Sequence, residues 1–347
     1  MKKYLVNSLK LVISLGVGIG IIYWFIGQMS DSDKQNVIND IKRANYLWVA
    51  IPPILGLVSN YFRSQRWRLL LRPLGYNPSL FNTFFSVMIM YFLNLFFPRL
   101  GEVSRCGVLA RYENVPLDKA IGTMVLERLM DVLCLGIILL ILIATQADKF
   151  WLLYNQIMTN SKATFGDIID KYAISATVKY TVFGIVLLLI ILFIAYRIRK
   201  SGIDSLVADI RERLTGLIKG IISIKDIDNP LEFIFHTVML WGCYFLMAYL
   251  AFFTFPETSG LPLMAGFMCL AFSAVAFSLT PGGLGLYPIF IKIILGLYGI
   301  TGSVAISLGW VTWSAQTAGV LITGVLSLVL LAIFNREPSL NEVSPKT

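Results

Sequence analysis

Runs of about twenty apolar residues, each enough for one helix to cross a hydrocarbon core, recur along this 347-residue chain, and two runs are broken mid-way. The first break is Phe97-Pro98-Arg99-Leu100-Gly101-Glu102-Val103-Ser104-Arg105, directly after the apolar stretch 80–97. The second is Thr280-Pro281-Gly282-Gly283-Leu284-Gly285. Non-helical backbone at membrane depth persists only where protein or a watery cavity receives its polar groups. Ionisable residues at that depth are functional-site candidates. One interruption in each half of a chain is the pattern of a transporter core.

Composition supports the membrane reading. Charged residues make up 14% and apolar ones 57%, where a soluble domain carries about 25% charged, and mean hydropathy is +0.75. The expected fold is an all-α polytopic membrane protein with about six full transmembrane helices, near 8–27, 46–64, 119–145, 178–197, 232–255 and 304–334. Two further regions, 80–112 and 261–299, read as re-entrant or tightly paired broken helical hairpins. The start, Lys2-Lys3 before an apolar stretch 11–26, is a retained first helix, because it outruns a signal h-region and no small-residue cleavage site follows. Gly16 and Gly20 on it have the spacing of a helix-packing face.

The net charge of +9 is read as the positive-inside bias of cytoplasmic loops, and no nucleic-acid partner is expected. With a cytoplasmic N-terminus and both broken regions as hairpins, 20 of the 29 Lys and Arg fall on the cytoplasmic side and 7 outside, with Arg128 and Lys292 in the membrane. Each half then reads helix, helix, hairpin, helix, from opposite sides. That is an inverted repeat of halves 1–146 and 178–335 within a single integral-membrane domain, 1–335, followed by a polar, disordered tail, 336–347. Apolar residues at helical spacing over 203–221, and more briefly over 150–158, predict interfacial helices. Cys106, Cys134, Cys243 and Cys269 are widely spaced, and His236 is the lone histidine. No metal site, cofactor or catalytic residue is expected.

Four constellations carry the chemistry. In the first, Arg99, Gly101, Glu102 and Arg105 place a helix start and arginines where a phosphate can bind; a plain basic cytoplasmic loop is the alternative. In the second, Glu127 and Asp131 are i,i+4 and Arg128 and Asp131 are i,i+3. They read as a buried ion lock, for instance through Arg99 or Arg105, combined with a polar wall for a lipid headgroup, or as a proton site. The third, Pro281, Gly282, Gly283 and Gly285, lacks the Gly-Lys-Ser/Thr of a phosphate-binding P-loop and the context of a dinucleotide fingerprint. It reads as a tight re-entrant turn that approaches a ligand. The fourth, Arg63, Arg66, Trp67 and Arg68, reads as an interface anchor, with anionic lipid headgroups as alternative contacts.

In this order the motifs resemble the membrane domain of the lysylphosphatidylglycerol synthase/flippase family, also called flippase-like or UPF0104 proteins. The resemblance runs over nearly the whole chain. It is carried by Arg63-xx-Arg66-Trp67, by Phe97 to Arg105, and by Val115-Pro116-Leu117-xx-Ala120 leading to Val125-Leu126-Glu127-Arg128-Leu129-xx-Asp131. Pro281-Gly282-Gly283-Leu284-Gly285 completes it. The resemblance implies a lipid-translocating domain. Bifunctional members add a cytoplasmic domain that makes the aminoacylated lipid, which is not expected here, so no enzyme activity is expected. Many relatives carry an acid after the glycine turn; here Tyr287-Pro288 follows.

The expected function is translocation of a phospholipid or related lipid in the cell inner membrane, with both termini cytoplasmic. An integral-membrane enzyme on lipid-linked substrates, or a non-transporting subunit of an envelope biosynthesis complex, is the alternative. Membrane lipids are the expected partners; a lipid-synthesis enzyme and a second copy of the chain are further candidates.

Overall fold

The computed structural model describes residues 31–97, 99–153, 155, 227, 229–300 and 302–335. The crossings expected at 8–27 and 178–197, the stretch 203–221, the tail 336–347 and Pro98 lie outside the described residues. The chain divides into two compact units, Met1–Leu142 with Lys225–Thr347, and Ile143–Ile224. In the second, residues 147–153 are helical and Trp151 is exposed. The first unit is, among the described residues, helical with no strand.

Helix α1 (Asp31–Arg43) leads to α2 (Tyr46–Leu71). The Asn45 side chain accepts from the Leu47 N–H at 3.2 Å and caps the start of α2. α2 continues to Leu71, beyond the expected boundary at 64. Charge at Arg63 and Arg66 does not end it, because both side chains find carboxylates on another helix. The chain leaves through a 3₁₀ turn, Arg72–Leu74, and Gly75 at φ 85°.

α3 (Leu80–Asn94) and α4 (Leu100–Tyr112) follow, with 15 and 13 residues. At 1.5 Å per residue they reach only about 22 and 20 Å, short of a ~30 Å hydrocarbon core. They pack along each other. Glu113, just past α4, accepts from Ser79 Oγ and Asn82 Nδ2 at the start of α3, both at 2.6 Å. The pair therefore enters and leaves at one end. α5 (Leu117–Thr145) then runs the full length of a span.

The order long, short, short, long recurs. α6 (Pro230–Leu250) extends through a 3₁₀ turn to Thr254. α7 (Leu263–Leu279) and α8 (Leu286–Leu297) form a second hairpin, with Tyr298 Oη 3.3 Å from Met268 Sδ. α9 (Ser303–Phe334) closes the fold. α5, α6 with its extension, and α9 are long and apolar enough to cross a membrane. This is an all-α membrane protein.

Hydrogen bonds fix which ends lie together. The Asn45 N–H donates to the Thr254 carbonyl (3.0 Å), so α2 starts where α6 ends. There Arg43 pairs with Asp40 (2.8 Å) and Glu257 (2.6 Å), and Ser307 Oγ lies 3.3 Å from Asp40. At the other end Asn82 and Asn335 exchange amide hydrogen bonds at 2.8 and 3.0 Å. Trp67, Leu71, Val87, Met90, Cys106 and Leu109 form the core between α2, α3 and α4.

α9 lies directly on its neighbours. A Cβ on Gly324 would sit 2.4 Å from Phe92 Cβ, and one on Gly309 2.6 Å from Pro288 Cα. Among the described residues, no helix lies so close along α5. The two breaks meet: a Cβ on Gly282 would stand 2.6 Å from Leu95 Cδ2.

Candidate functional site

α2, α4 and α5 converge on seven ionisable side chains. Helical spacing puts Glu127 and Asp131 one turn apart on α5, and Arg63 and Arg66 one turn apart on α2. The fully buried Glu127 is contacted by Arg63, by Arg66 at 3.3 Å and by Arg105 of α4 at 2.9 Å. Asp131 receives Arg63 at 2.9 Å, Arg66 at 2.6 Å and Arg128 at 3.4 Å. Arg128 also reaches Glu102 at 3.2 Å. Four arginines thus face three carboxylates, an excess of one positive charge.

Removing ions from water costs several kcal/mol each, which good ion-pair geometry offsets. Aromatic rings add to the offset. The Arg105 guanidinium lies 4.4 Å over the Trp67 ring. The indole N–H of Trp67 donates to Thr123 Oγ1 of α5 at 3.0 Å. These contacts join α5 to α2 and α4.

The first break carries its own hydrogen bonds. Asn94, the last residue of α3, accepts from the Gly101 N–H (3.0 Å) and donates to Glu102 (3.3 Å). A donor otherwise left open at the start of α4 is thereby satisfied. A Cβ on Gly101 would lie 2.1 Å from the Met90 carbonyl oxygen, so glycine alone fits. Arg99 is held at φ 65°, a left-handed conformation that costs a non-glycine residue about 1 kcal/mol or more. At the second break Gly282, Gly283 and Gly285 have φ 56°, 72° and 78°, and the Trp313 indole N–H donates to the Gly282 carbonyl at 2.8 Å.

Between the breaks lies a cavity of about 510 Å³, walled in part by Arg63, Arg99, Glu102, Arg128 and Asp131. Arg63 Nη2 donates to Tyr244 Oη of α6 (3.1 Å), and Tyr244 lies 3.0 Å from Tyr91 Oη. The wall changes character along three helices. On α2 it passes from Arg63 and Asn60 to Leu57 and Pro53, on α5 from Arg128 and Asp131 to Val132 and Leu135, and on α6 from Tyr244 to Met247 and Ala248. Trp67 meets Thr123 and Arg63 meets Asp131, while a Cβ on Gly56 would stand 3.6 Å from Met247 Cε, so all three gradients run the same way. On α2 the gradient covers about 15 Å at 1.5 Å per residue. Along these three helices the wall passes from charged to apolar, while Gln316 and Thr317 of α9 and Ser273 and Ser278 of α7 add uncharged polar groups to the lining.

The expected site residues separate by position. Arg99, Glu102, Arg128, Asp131 and Gly282 line the cavity. Arg105 and Glu127 stand behind its wall in the ion cluster, and Gly101 packs between α3 and α4. Pro281 and Gly283 are buried in the second turn, and Gly285 precedes α8. Of the ion locks considered, Arg105 makes the bond; Arg99 makes no ion pair among the described residues.

Arg63, Arg66 and Trp67, expected at the membrane interface, are instead inside, with 2%, 0% and 0% of their surface exposed. Only Arg68 of that set is half-buried near the helix end, bonded to the Pro78 carbonyl (2.8 Å) and to Gln65 and Asn77. Asn60, Tyr91, Asn94, Trp241, Tyr244 and Gln316 line the cavity and are absent from the expected set. The signal for Asn60, Asn94 and Gln316 was a lone amide within an apolar run. Tyr91 and Tyr244 carried none, since tyrosines are common in such helices. All four cysteines are free. Among the described residues no three His, Cys, Asp or Glu side chains gather as a metal site.

The family model described as lysylphosphatidylglycerol synthase TM region matches residues 9–324. Over 98 residues the chain is 30% identical to the UPF0104 membrane protein MJ1595 of Methanocaldococcus jannaschii, covering 27% of this chain and 29% of that protein. No solved structure matches.

Proposed function

We propose that this chain, which belongs to the lysylphosphatidylglycerol synthase transmembrane-region family, carries a phosphate-bearing lipid between the leaflets of its membrane. The observation that carries this reading is the cavity's polarity gradient. A ligand matching it has a polar head near Arg99 and Arg128 and an apolar body along Leu57, Leu135 and Met247. That is the shape of a lipid. Guanidinium groups suit phosphate oxygens, with two N–H donors aligned to two acceptors. Placing the site where two broken hairpins meet lets small hairpin movements open it to one side or the other.

In this reading Arg99 and Arg128 hold the phosphate. Arg63 and Tyr244 form the floor, and Glu127 and Asp131 keep the arginines oriented. The activity is movement of the lipid rather than bond-making on it. Both termini lie in the cytoplasm and the two halves are inverted. Consistent with this, α2 starts where α6 ends. Cysteines at Gly75 and Ser259 then label from opposite faces of the membrane; labelling from one face contradicts the topology.

The test of function is reconstitution. Purified protein in liposomes with tail-labelled phospholipids exchanges label between leaflets, and the exchange falls in Asp131→Asn. No exchange by folded protein overturns the proposal.

A further inference from the structure

We infer that Gln316 and Thr317 of α9 form a second headgroup station, uncharged and on the far side of the two breaks from the ion cluster. It takes the polar atoms of a lipid head in passage, and so rests on the lipid-transport reading above.

Contacts between helices fix its depth. α2 and α9 run the same way. Asp40, shortly before α2, lies 3.3 Å from Ser307 at the start of α9, and Asn335 at the end of α9 meets Asn82, shortly after α2. A Cβ on Gly319 would stand 3.0 Å from Pro53 Cβ, which sets these two residues level. From that level Arg63 lies about 15 Å one way along α2, and Gln316 about 4.5 Å the other way along α9. The ion cluster and Gln316 are thus roughly 20 Å apart along the bundle. The breaks fall between them. Phe92, a turn before Leu95, meets Gly324 about 12 Å from Gln316 on the cluster side, and Leu95 seats Gly282. The Trp313 indole that bonds the Gly282 carbonyl is one turn from Gln316 on the same face of α9.

Most uncharged side chains on the cavity wall are engaged by their own helices. Ser278, Thr280 and Thr323 donate to the carbonyls of Ala274, Ala276 and Gly319 at 2.8, 3.2 and 2.7 Å. Gln316 and Thr317 line the same cavity, are half-buried, and make no side-chain hydrogen bond among the described residues. They stand near the middle of a helix apolar and long enough to span the membrane, where an unused amide is costly. Asn60 of α2 is in the same condition. It lines the cavity one turn from Arg63, is 7% exposed, and its side-chain amide makes no hydrogen bond among the described residues. Free amides therefore border the way from the cluster toward Gln316.

A head that leaves the cluster gives up charge-assisted bonds, and a wholly apolar passage would leave its oxygens bare. An amide offers donors and an acceptor at once, as does a hydroxyl. Such groups receive phosphate oxygens, glycerol hydroxyls or an ammonium alike. Being neutral, they hold a head less firmly than the cluster does, and passage needs a station weak enough to leave.

Exchange of tail-labelled phosphatidylglycerol between leaflets is compared in liposomes holding wild type, Gln316→Leu, Gln316→Ala, Gln316→Asn or Thr317→Val. Binding of the same lipid to each full-length protein is measured in detergent micelles. Gln316→Leu keeps the size and Gln316→Ala widens the cavity, yet both slow exchange about tenfold, the worth of one hydrogen bond to a charged group. Gln316→Asn keeps an amide and stays within about threefold of wild type, and Thr317→Val slows exchange about threefold. Binding stays within about twofold throughout, because the ion cluster is distant and untouched.

Exchange by Gln316→Ala at or above the wild-type rate means that room alone matters and overturns the inference. So does a wild-type rate in Gln316→Leu. Loss of binding along with exchange overturns it too, since Gln316 would then belong to the first site or to the fold. No exchange by the wild type sinks the transport reading, whereas wild-type exchange indifferent to these substitutions sinks this inference alone.

Discussion

α5 and α9 occupy the same place in the two halves, each a long helix after a hairpin, yet they are fastened differently. α9 is held by shape: Gly309 and Gly324 let its backbone touch Pro288 of α8 and Phe92 of α3. α5 is held by charge: Glu127 and Asp131 collect arginines from α2 and α4 across a wider gap. Packing of the first kind leaves no room between helices. The second kind leaves a space with polar walls, and α5 lines the cavity there through Arg128 and Asp131; α9 lines it as well, through Gln316, Thr317 and Thr323. The breaks differ in the same sense. The first presents Arg99 and Glu102, whereas the second presents a glycine turn that seats on Leu95.

Removal of the charge at the centre of the cluster has the largest effect. Glu127→Ala leaves buried arginines without their shared partner, and about 3–5 kcal/mol of stability is lost by chemical unfolding of the purified protein in detergent. A change under about 1 kcal/mol would mean that charge does not hold α5. On the packed side, Gly324→Ala forces a methyl into Phe92 and costs about 1–3 kcal/mol, as does Gly101→Ala against the Met90 carbonyl, read as lowered thermal midpoints. These losses should add to that of Glu127→Ala in the Gly324 double variant, since the sites share no partner. With Gly101, beside Glu102 in the same network, they should not. Glu257→Ala removes an exposed pair with Arg43 at the far end and costs less than about 1 kcal/mol, leaving lipid exchange unchanged.

The sequence marked the breaks, the carboxylate pair and the hairpins, because each is written within a few residues. Glu127 and Asp131 at i,i+4 show a shared face in the sequence itself, and a proline joined by charge or by several glycines within apolar residues marks a break; proline alone does not, since Pro52 and Pro53 lie inside α2. Arg63 and Arg66 could not be read so. A basic cluster beside Trp67 at a helix end has the local look of an interface anchor. The carboxylates that draw it inward come 61 to 68 residues later. Tyr244 lies further still, 181 residues from Arg63. Spacing along one helix reports a face; which helix meets that face is decided by tertiary packing.

Transport as proposed takes lipid through the cavity between the two breaks. Ala274 of α7 lines it and takes no part in the ion cluster, so Ala274→Trp fills the space while leaving every charge in place. Leaflet exchange of tail-labelled phosphatidylglycerol, measured in liposomes holding equal amounts of folded wild-type or Ala274→Trp protein, is the most direct test. The account predicts exchange by the wild type and its loss in the filled variant. Exchange at the wild-type rate with the cavity filled would contradict it.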